Sequence, residues 1–348
     1  MAYTTIDDPS ANFQTALYTG TGATQSITND GNSDLQPDLV WIKHRSGTED
    51  HHLFDSTRGA EQSLKSNSVD AEVNYNASMT AFNSDGFSLG TANGVNGTGT
   101  FVGWQWKANG GTTSSNTSGT ITTTVQANTD AGFSIVTWAG NASNASMGHG
   151  LGATPKVIIS KARGTTNDWN VYHRDLDATA PYNYLLNLHN TNARSAATGS
   201  WGTSLSDINS TTFYKKYWIN YNTNMIAYCF AEKQGYSKFG KYTGNGSSDG
   251  PFVYTGFKPA FVMVKNTNAA YDWRMNGPDG VFLSANTSGA VYDSPPGPID
   301  RLSNGFKIRG GDDVRQSGST FIYMAFAANP FVTSTGIPTT AGSTGPAT

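Results

Sequence analysis

The sequence predicts an all-β protein of three tandem antiparallel β-sandwich repeats, jelly-roll-like in character. Three observations predict it. A proline-led apolar stretch is written three times, as Pro37-Asp-Leu-Val-Trp-Ile-Lys43, Pro155-Lys-Val-Ile-Ile-Ser-Lys161 and Pro259-Ala-Phe-Val-Met-Val-Lys265. Short apolar runs alternate with Gly, Asn, Ser and Thr turns, in a chain with 39 Gly, 13 Pro and 12% aromatic residues. No long run shows the i, i+3, i+4, i+7 spacing of an amphipathic helix. Self-similarity of this kind constrains the fold before any single element does.

Residues 1–10 read as a short polar N-terminal arm. The first repeat, 11–108, opens with a strand from Phe13 to Tyr18 and a turn at Gly20-Thr-Gly22. The Asp- and Asn-rich stretch at 29–34 lacks the spacing and the closing glutamate of an EF-hand loop, and reads as a solvated turn. Proline has no N–H for a ladder, so it heads the next strand. The β-branched and aromatic run behind it suits a strand covered on both faces. Its lysine places a charge where the strand leaves the core. Ser84-Asp-Gly-Phe87 turns into Phe87-Ser-Leu89, and Phe101-Val-Gly-Trp-Gln-Trp106 alternates as a closing strand with one face in the core.

Residues 109–128 form a Gly/Thr/Ser-rich linker, because Asn109 to Gly119 contains no apolar residue. Ile121 to Val125 is expected to be a short strand packed onto a neighbour. The second repeat, 129–234, opens at Gly132-Phe-Ser-Ile-Val-Thr-Trp138 and closes at Met225 to Phe230. The third, 235–332, opens at Gly235-Tyr-Ser-Lys-Phe-Gly-Lys-Tyr242 and closes at Phe321 to Phe326. Trp106, Phe230 and Phe326 align across the repeats, as do Trp104, Tyr228 and Met324. Residues 333–348 are an extended C-terminal tail. Units of roughly 100 residues are far longer than solenoid repeats and can each bury a core.

An Asp follows each repeated lysine at one spacing: Asp50, Asp168 and Asp272. The next residue is His51, Trp169 or Trp273. Two roles fit this pair. The carboxylate can cap a turn while the ring covers the sandwich edge. Alternatively, the ring stacks on a sugar and the carboxylate grips its hydroxyls. Asp50, His51, Asp168, Trp169, Asp272 and Trp273 are thus the candidate carbohydrate-binding residues. Trp201, Tyr221 and Tyr271 would join them if they face solvent.

No catalytic residues are expected. The chain has no Gly-x-Ser-x-Gly elbow, phosphate loop or His-Glu-x-x-His helix. Asp175 and Asp177 are the nearest thing to a glycosidase pair, by proximity alone. His44, His51 and His52 cluster near Glu49, Asp50 and Asp55, but the other repeats put Trp where His51 stands, so no metal is expected. No cofactor is expected either. A net charge of −3 and 14% charged residues give no basic footprint for nucleic acid. Neither a signal core nor a span of about 20 apolar residues is present, so the expectation is synthesis in a cytoplasm without membrane insertion. Cys229, the one cysteine, sits in an apolar run and reads as a buried inert thiol.

A proline-led Val-x-Ile/Val-Lys strand, a later Asp-Trp, a Ser-x-Gly-Phe turn and a closing aromatic strand resemble the repeat domains of bacteriophage tail-fibre and other virion surface proteins, notably those of marine phages. The ending Ala-Asn-Pro-Phe-Val-Thr-Ser-Thr-Gly-Ile-Pro338 is similar too. The resemblance runs from about residue 11 to 338. It implies a virion structural protein made in the host cytoplasm, most like a tail fibre mediating host attachment. Its partners would be other virion proteins, copies of itself in a homotrimer, and host surface polysaccharide. A head fibre or decoration protein and a glycan-depolymerising enzyme are the alternatives. The resemblance transfers no catalytic residue.

Overall fold

The proline-led strands lie where two-faced apolar segments belong, in the interior of their sheets. In the computed structural model, which describes residues 4–276, 280–291 and 297–328, they span Leu39–His44, Val157–Ala162 and Pro259–Asn266. Each pairs on one side with a closing strand: Gly99–Trp106, Asn224–Phe230 or Thr320–Ala327. The closing strand in turn pairs with the opening strand: Phe13–Gly20, Phe133–Ala139 or Ser237–Thr243. On the other side follow His52–Asp55, Asn170–His173 or Arg274–Asn276. All these pairings are antiparallel. One strand order thus occurs three times along the chain, in three sectors.

A small second sheet covers one face of each large one. It contains Gln25–Ile27, Met79–Phe82 and Phe87–Leu89 in the first sector and Ala145–Gly148 with Thr212–Lys215 in the second. In the third it contains Phe252–Tyr254, Ile299–Leu302 and Gly305–Ile308. The Ser84-Asp-Gly-Phe87 turn works as its sequence implies. Gly86 has φ +86°, and a side chain there would meet the Ile27 carbonyl at 1.9 Å. Each sandwich encloses its own apolar core, with Val40, Ile42 and Phe87 in the first, Trp138, Ile158 and Phe213 in the second, and Val262, Phe306 and Phe321 in the third.

The other face of each large sheet is covered as well, which strict alternation did not anticipate. Val102, Trp104 and Trp106 turn away from the first sandwich into a core shared by all three sectors. Phe101 to Trp106 is consequently buried at every position, not on one face. At the centre the aligned residues Trp106, Phe230 and Phe326 form a triangle, with ring centroids 6.4, 5.6 and 5.8 Å apart. The sectors therefore converge on one centre instead of following one another in a row.

Two further expectations are corrected. The stretch 109–128 is not a free linker: Ser114–Asn116 and Thr123–Asn128 extend the second sector's large sheet. Its start is pinned by the buried Asp38 carboxylate, which accepts the amides of Ala108, Gly110 and Gly111 at 2.7, 2.9 and 2.7 Å. The arm at 1–10 is not solvated along its described part, because Ile6 enters the shared core and Pro9–Ala11 forms a 3-10 turn. The tail at 333–348 lies outside the described residues.

Candidate functional site

The repeated Lys, Asp and aromatic residues meet at the seams between sectors. Each repeated ring lies at the head of the strand beside a proline-led strand, and its N–H crosses to the neighbouring sector. Trp169 Nε1 donates to the Lys65 carbonyl at 2.8 Å, and Trp273 Nε1 to the Asn187 carbonyl at 2.9 Å. His51 Nε2 lies 3.0 Å from the Ser284 carbonyl. Since His51 Nδ1 accepts the indole N–H of Trp41 at 2.9 Å, Nε2 must carry the proton and donate. Burial, reinforced by Lys43, holds the His51 pKa well below the usual value, so the ring stays neutral. His51 therefore does what tryptophan does in the other sectors. The larger Trp41 stands where those sectors have Ile159 and Met263, and its ring packs edge-on against the smaller His51 ring, filling the space a second tryptophan would take.

The three lysines are not at the solvent edge, as their strand-end position suggested. They are buried and follow the same rotation. Lys43 Nζ donates to the Ser288 carbonyl at 3.0 Å, Lys161 to Val69 at 3.0 Å and Lys265 to Thr191 at 2.8 Å. Burial lowers each pKa to about 8, against the pull of nearby carboxylates. A third set closes the ring through backbone. Glu72 N donates to Arg163 O at 2.8 Å, Arg194 N to Thr267 O at 3.1 Å and Val291 N to Arg45 O at 2.7 Å. First to second, second to third and third to first, the seams are made by equivalent groups.

This geometry settles where the candidate sugar-binding residues sit. Trp169 and Trp273 are 0% and 3% exposed and His51 is 0% exposed, so none offers a ring face to a ligand. Their stacking role is withdrawn for that reason. The aspartates orient the latch from inside their own sectors. Asp50 takes Asn67 Nδ2 at 2.7 Å and Lys65 Nζ at 2.8 Å, and Asn67 Oδ1 accepts the His51 amide. Burial pushes the Asp50 carboxyl up, but these bonds outweigh it and the pKa is lowered. Asp272 takes Asn286 Nδ2 at 2.7 Å, and Asn286 Oδ1 accepts the Trp273 amide. Asp168 faces His189 Nε2 at 3.4 Å. Trp201 is buried too, and Tyr221 and Tyr271 are only half-buried.

Among the described residues, the solvent-facing aromatics that composition alone could not pick out are Phe252 and Tyr254, 45% and 56% exposed, together with Tyr217 and Trp218. Phe252 and Tyr254 stand on the outer face of the third sector's small sheet. In register, Phe252 opposes Lys307, which opposes Asp300. Tyr254 opposes Gly305, which opposes Leu302. The Phe252 ring lies over Gly305, where a side chain would come within 3.0 Å of it. Beside this apolar row runs a charged one. Asp249 pairs with Lys307 at 2.8 Å and with Arg309 at 3.0 Å, and Arg309 pairs with Asp300 at 2.6 Å. The alternation of Phe252 and Tyr254 about buried Val253 is the one sequence signal that could have found them.

Cys229 is buried beside Ser134, and burial raises its thiol pKa, in keeping with an inert role. Among the described residues no group of His, Cys, Asp and Glu could hold a metal ion.

No curated protein and no solved structure matches the chain. A family model described as a domain of unknown function, DUF7483, matches residues 8–330. That span takes in all three sectors together, and the chain belongs to this family.

Proposed function

We propose that the chain is a structural component of a bacteriophage particle, a tail-fibre-like surface protein that attaches the particle to host surface glycans. A position on the head, as fibre or decoration protein, is the variant of this reading. The proposal includes contacts with other virion proteins and assembly of the chain as a homotrimer.

The observation that carries it is the contrast between three outer faces built on one plan. The first sector presents Ser26 and Ser88, hydrogen-bonded at 2.9 Å, and the second pairs Ser146 with Tyr214. The third presents two exposed rings, Phe252 and Tyr254, where the second has one half-buried ring and the first has serines. The plan does not require aromatic residues there, and burial does not explain them. Exposed rings beside a row of charged groups suit the apolar face and hydroxyls of a sugar. The rigid body behind them suits display.

The depolymerase alternative gains little from Asp175 and Asp177. Amides of Ala180 and Thr179 lower the Asp177 pKa to about 2, so it cannot serve as a general acid near neutral pH. The test is incubation with host surface polysaccharide. Binding with unchanged viscosity is expected, and Phe252→Ala with Tyr254→Ala should remove it. Falling viscosity would establish the enzyme, and no binding would remove the adhesive role. Absence of the chain from purified particles would remove the virion role.

A further inference from the structure

The three seams use the same backbone bonds but not the same side chains. At the first seam, Arg163 and Glu72 occupy the two facing positions, and their side chains pair at 3.0 and 2.8 Å. At the second seam the equivalent positions hold Thr267 and Arg194, and the equivalent backbone bond is present. Threonine does not reach as arginine does, and the carboxylate is gone. A cleft of about 180 Å³ lies there, lined by Asp175, Asp177, Arg194, Lys241, Thr267 and Thr320, among others.

The lining is charge-balanced and mixed. Arg194 Nη1 is 3.6 Å from Asp177 Oδ2 and stacks over the Tyr184 ring. Asp177 is further held by Thr179 and Ala180. The Asp175 carboxylate and the Lys241 ammonium make no hydrogen bond or ion pair with another described side chain. Asp175 is half-buried and Lys241 exposed, so one acceptor and one donor stand at the mouth of a small polar space without a protein side-chain partner among the described residues.

We propose that this cleft is a subsite for one neutral sugar ring, with Asp175 accepting from a hydroxyl and Lys241 and Arg194 donating to others. A sugar hydroxyl both donates and accepts, which a balanced lining favours over a bare anion or cation. The proposal rests on the glycan-attachment reading and adds a second, separate point of contact to it.

The test uses the full chain and four free monosaccharides: glucose, galactose, mannose and N-acetylglucosamine. Saturation-transfer NMR should detect binding of at least one. Asp175→Asn or Lys241→Met, both at the cleft rim, should weaken it about tenfold, the loss expected for a bond to a charged group. The double variant Thr267→Arg with Arg194→Glu places the first seam's pair in the cleft, and should abolish binding with the circular dichroism spectrum kept. No binding by any of the four would overturn the proposal. So would binding that the rim variants leave unchanged. Polysaccharide capture that depends on Phe252 and Tyr254 but ignores the cleft variants would remove the subsite and leave attachment standing. Monosaccharide binding in the cleft without polysaccharide capture would do the reverse.

Discussion

Replacing Trp273 by phenylalanine isolates what one seam bond contributes. The indole N–H supplies the Asn187 carbonyl from the next sector at 2.9 Å, and the ring is almost wholly buried. Phenylalanine keeps most of the apolar contact but leaves that carbonyl without its donor. Leaving a buried polar group unsatisfied costs about 1–3 kcal/mol. The small void left by the missing ring adds to it, so a total of about 2–4 kcal/mol is expected. Trp273→Ala should cost at least about 3–5 kcal/mol, because the cavity is then a whole side chain. Phe252→Ala, at an exposed site, should stay within about 0.5 kcal/mol. The assay is urea unfolding followed by circular dichroism, with polysaccharide binding measured in parallel. A Trp273→Phe loss below about 0.5 kcal/mol would refute the buried latch. Unchanged melting with lost adhesion in Trp169→Ala and Trp273→Ala would restore the sugar-stacking role withdrawn above.

Three other outcomes follow from the same geometry. Burial lowers the folded-state pKa of Lys43, Lys161 and Lys265 to about 8 and of Lys215 to about 7, whereas an unfolded lysine titrates near 10.4. Between those values the unfolded chain binds more lysine protons, so stability should rise with pH from about 8 to 9, by up to about 1.4 kcal/mol per unit for each lysine. Cys229, whose pKa is raised, opposes this with a single proton, and the buried Tyr18, Tyr228, Tyr236 and Tyr242, also raised, oppose it more strongly as pH nears about 10; a flat or falling urea midpoint between about pH 8 and 9 would count against buried lysines. Arg58→Met should cost about 3–5 kcal/mol, since it strips the buried Asp55 of its ion-pair partner at the first seam and also frees the Leu53 and Gln62 carbonyls; a smaller loss by calorimetry would show that Asp55 finds another cation. Light scattering at micromolar concentration should report a homotrimer, and a monomer would remove that part of the proposal.

The sequence carried the strands and their repetition, and it missed how the sectors meet. A proline at the head of its strand, as Pro259 is, or two residues ahead of it, as Pro37 and Pro155 are, Gly86 in its turn and the alignment of Trp106, Phe230 and Phe326 could all be read from local chemistry and spacing. The alignment even named the residues that meet at the centre, without showing that they touch. The seam bonds could not be read. Lys43 and Ser288, or Trp169 and Lys65, are joined by packing between sectors, and neither residue's own neighbours reveal its acceptor. Local sequence therefore places the lysines at solvent and leaves the rings open to a ligand. His51 looked like a departure because the compensating residue, Trp41, lies on the adjacent strand. The stretch at 109–128 misled through its composition: its order comes from Asp38, far away in sequence, and from an edge of sheet that it happens to cover.

Indole hydrogen exchange measured by NMR on the intact chain tests the closed ring of seams most directly. Trp218 is partly exposed and supplies an internal reference for free exchange. Closed seams predict that the Trp169 and Trp273 indole protons exchange only through global unfolding, orders of magnitude more slowly than that of Trp218. Exchange of either seam indole at the Trp218 rate would mean that the sectors are not latched together.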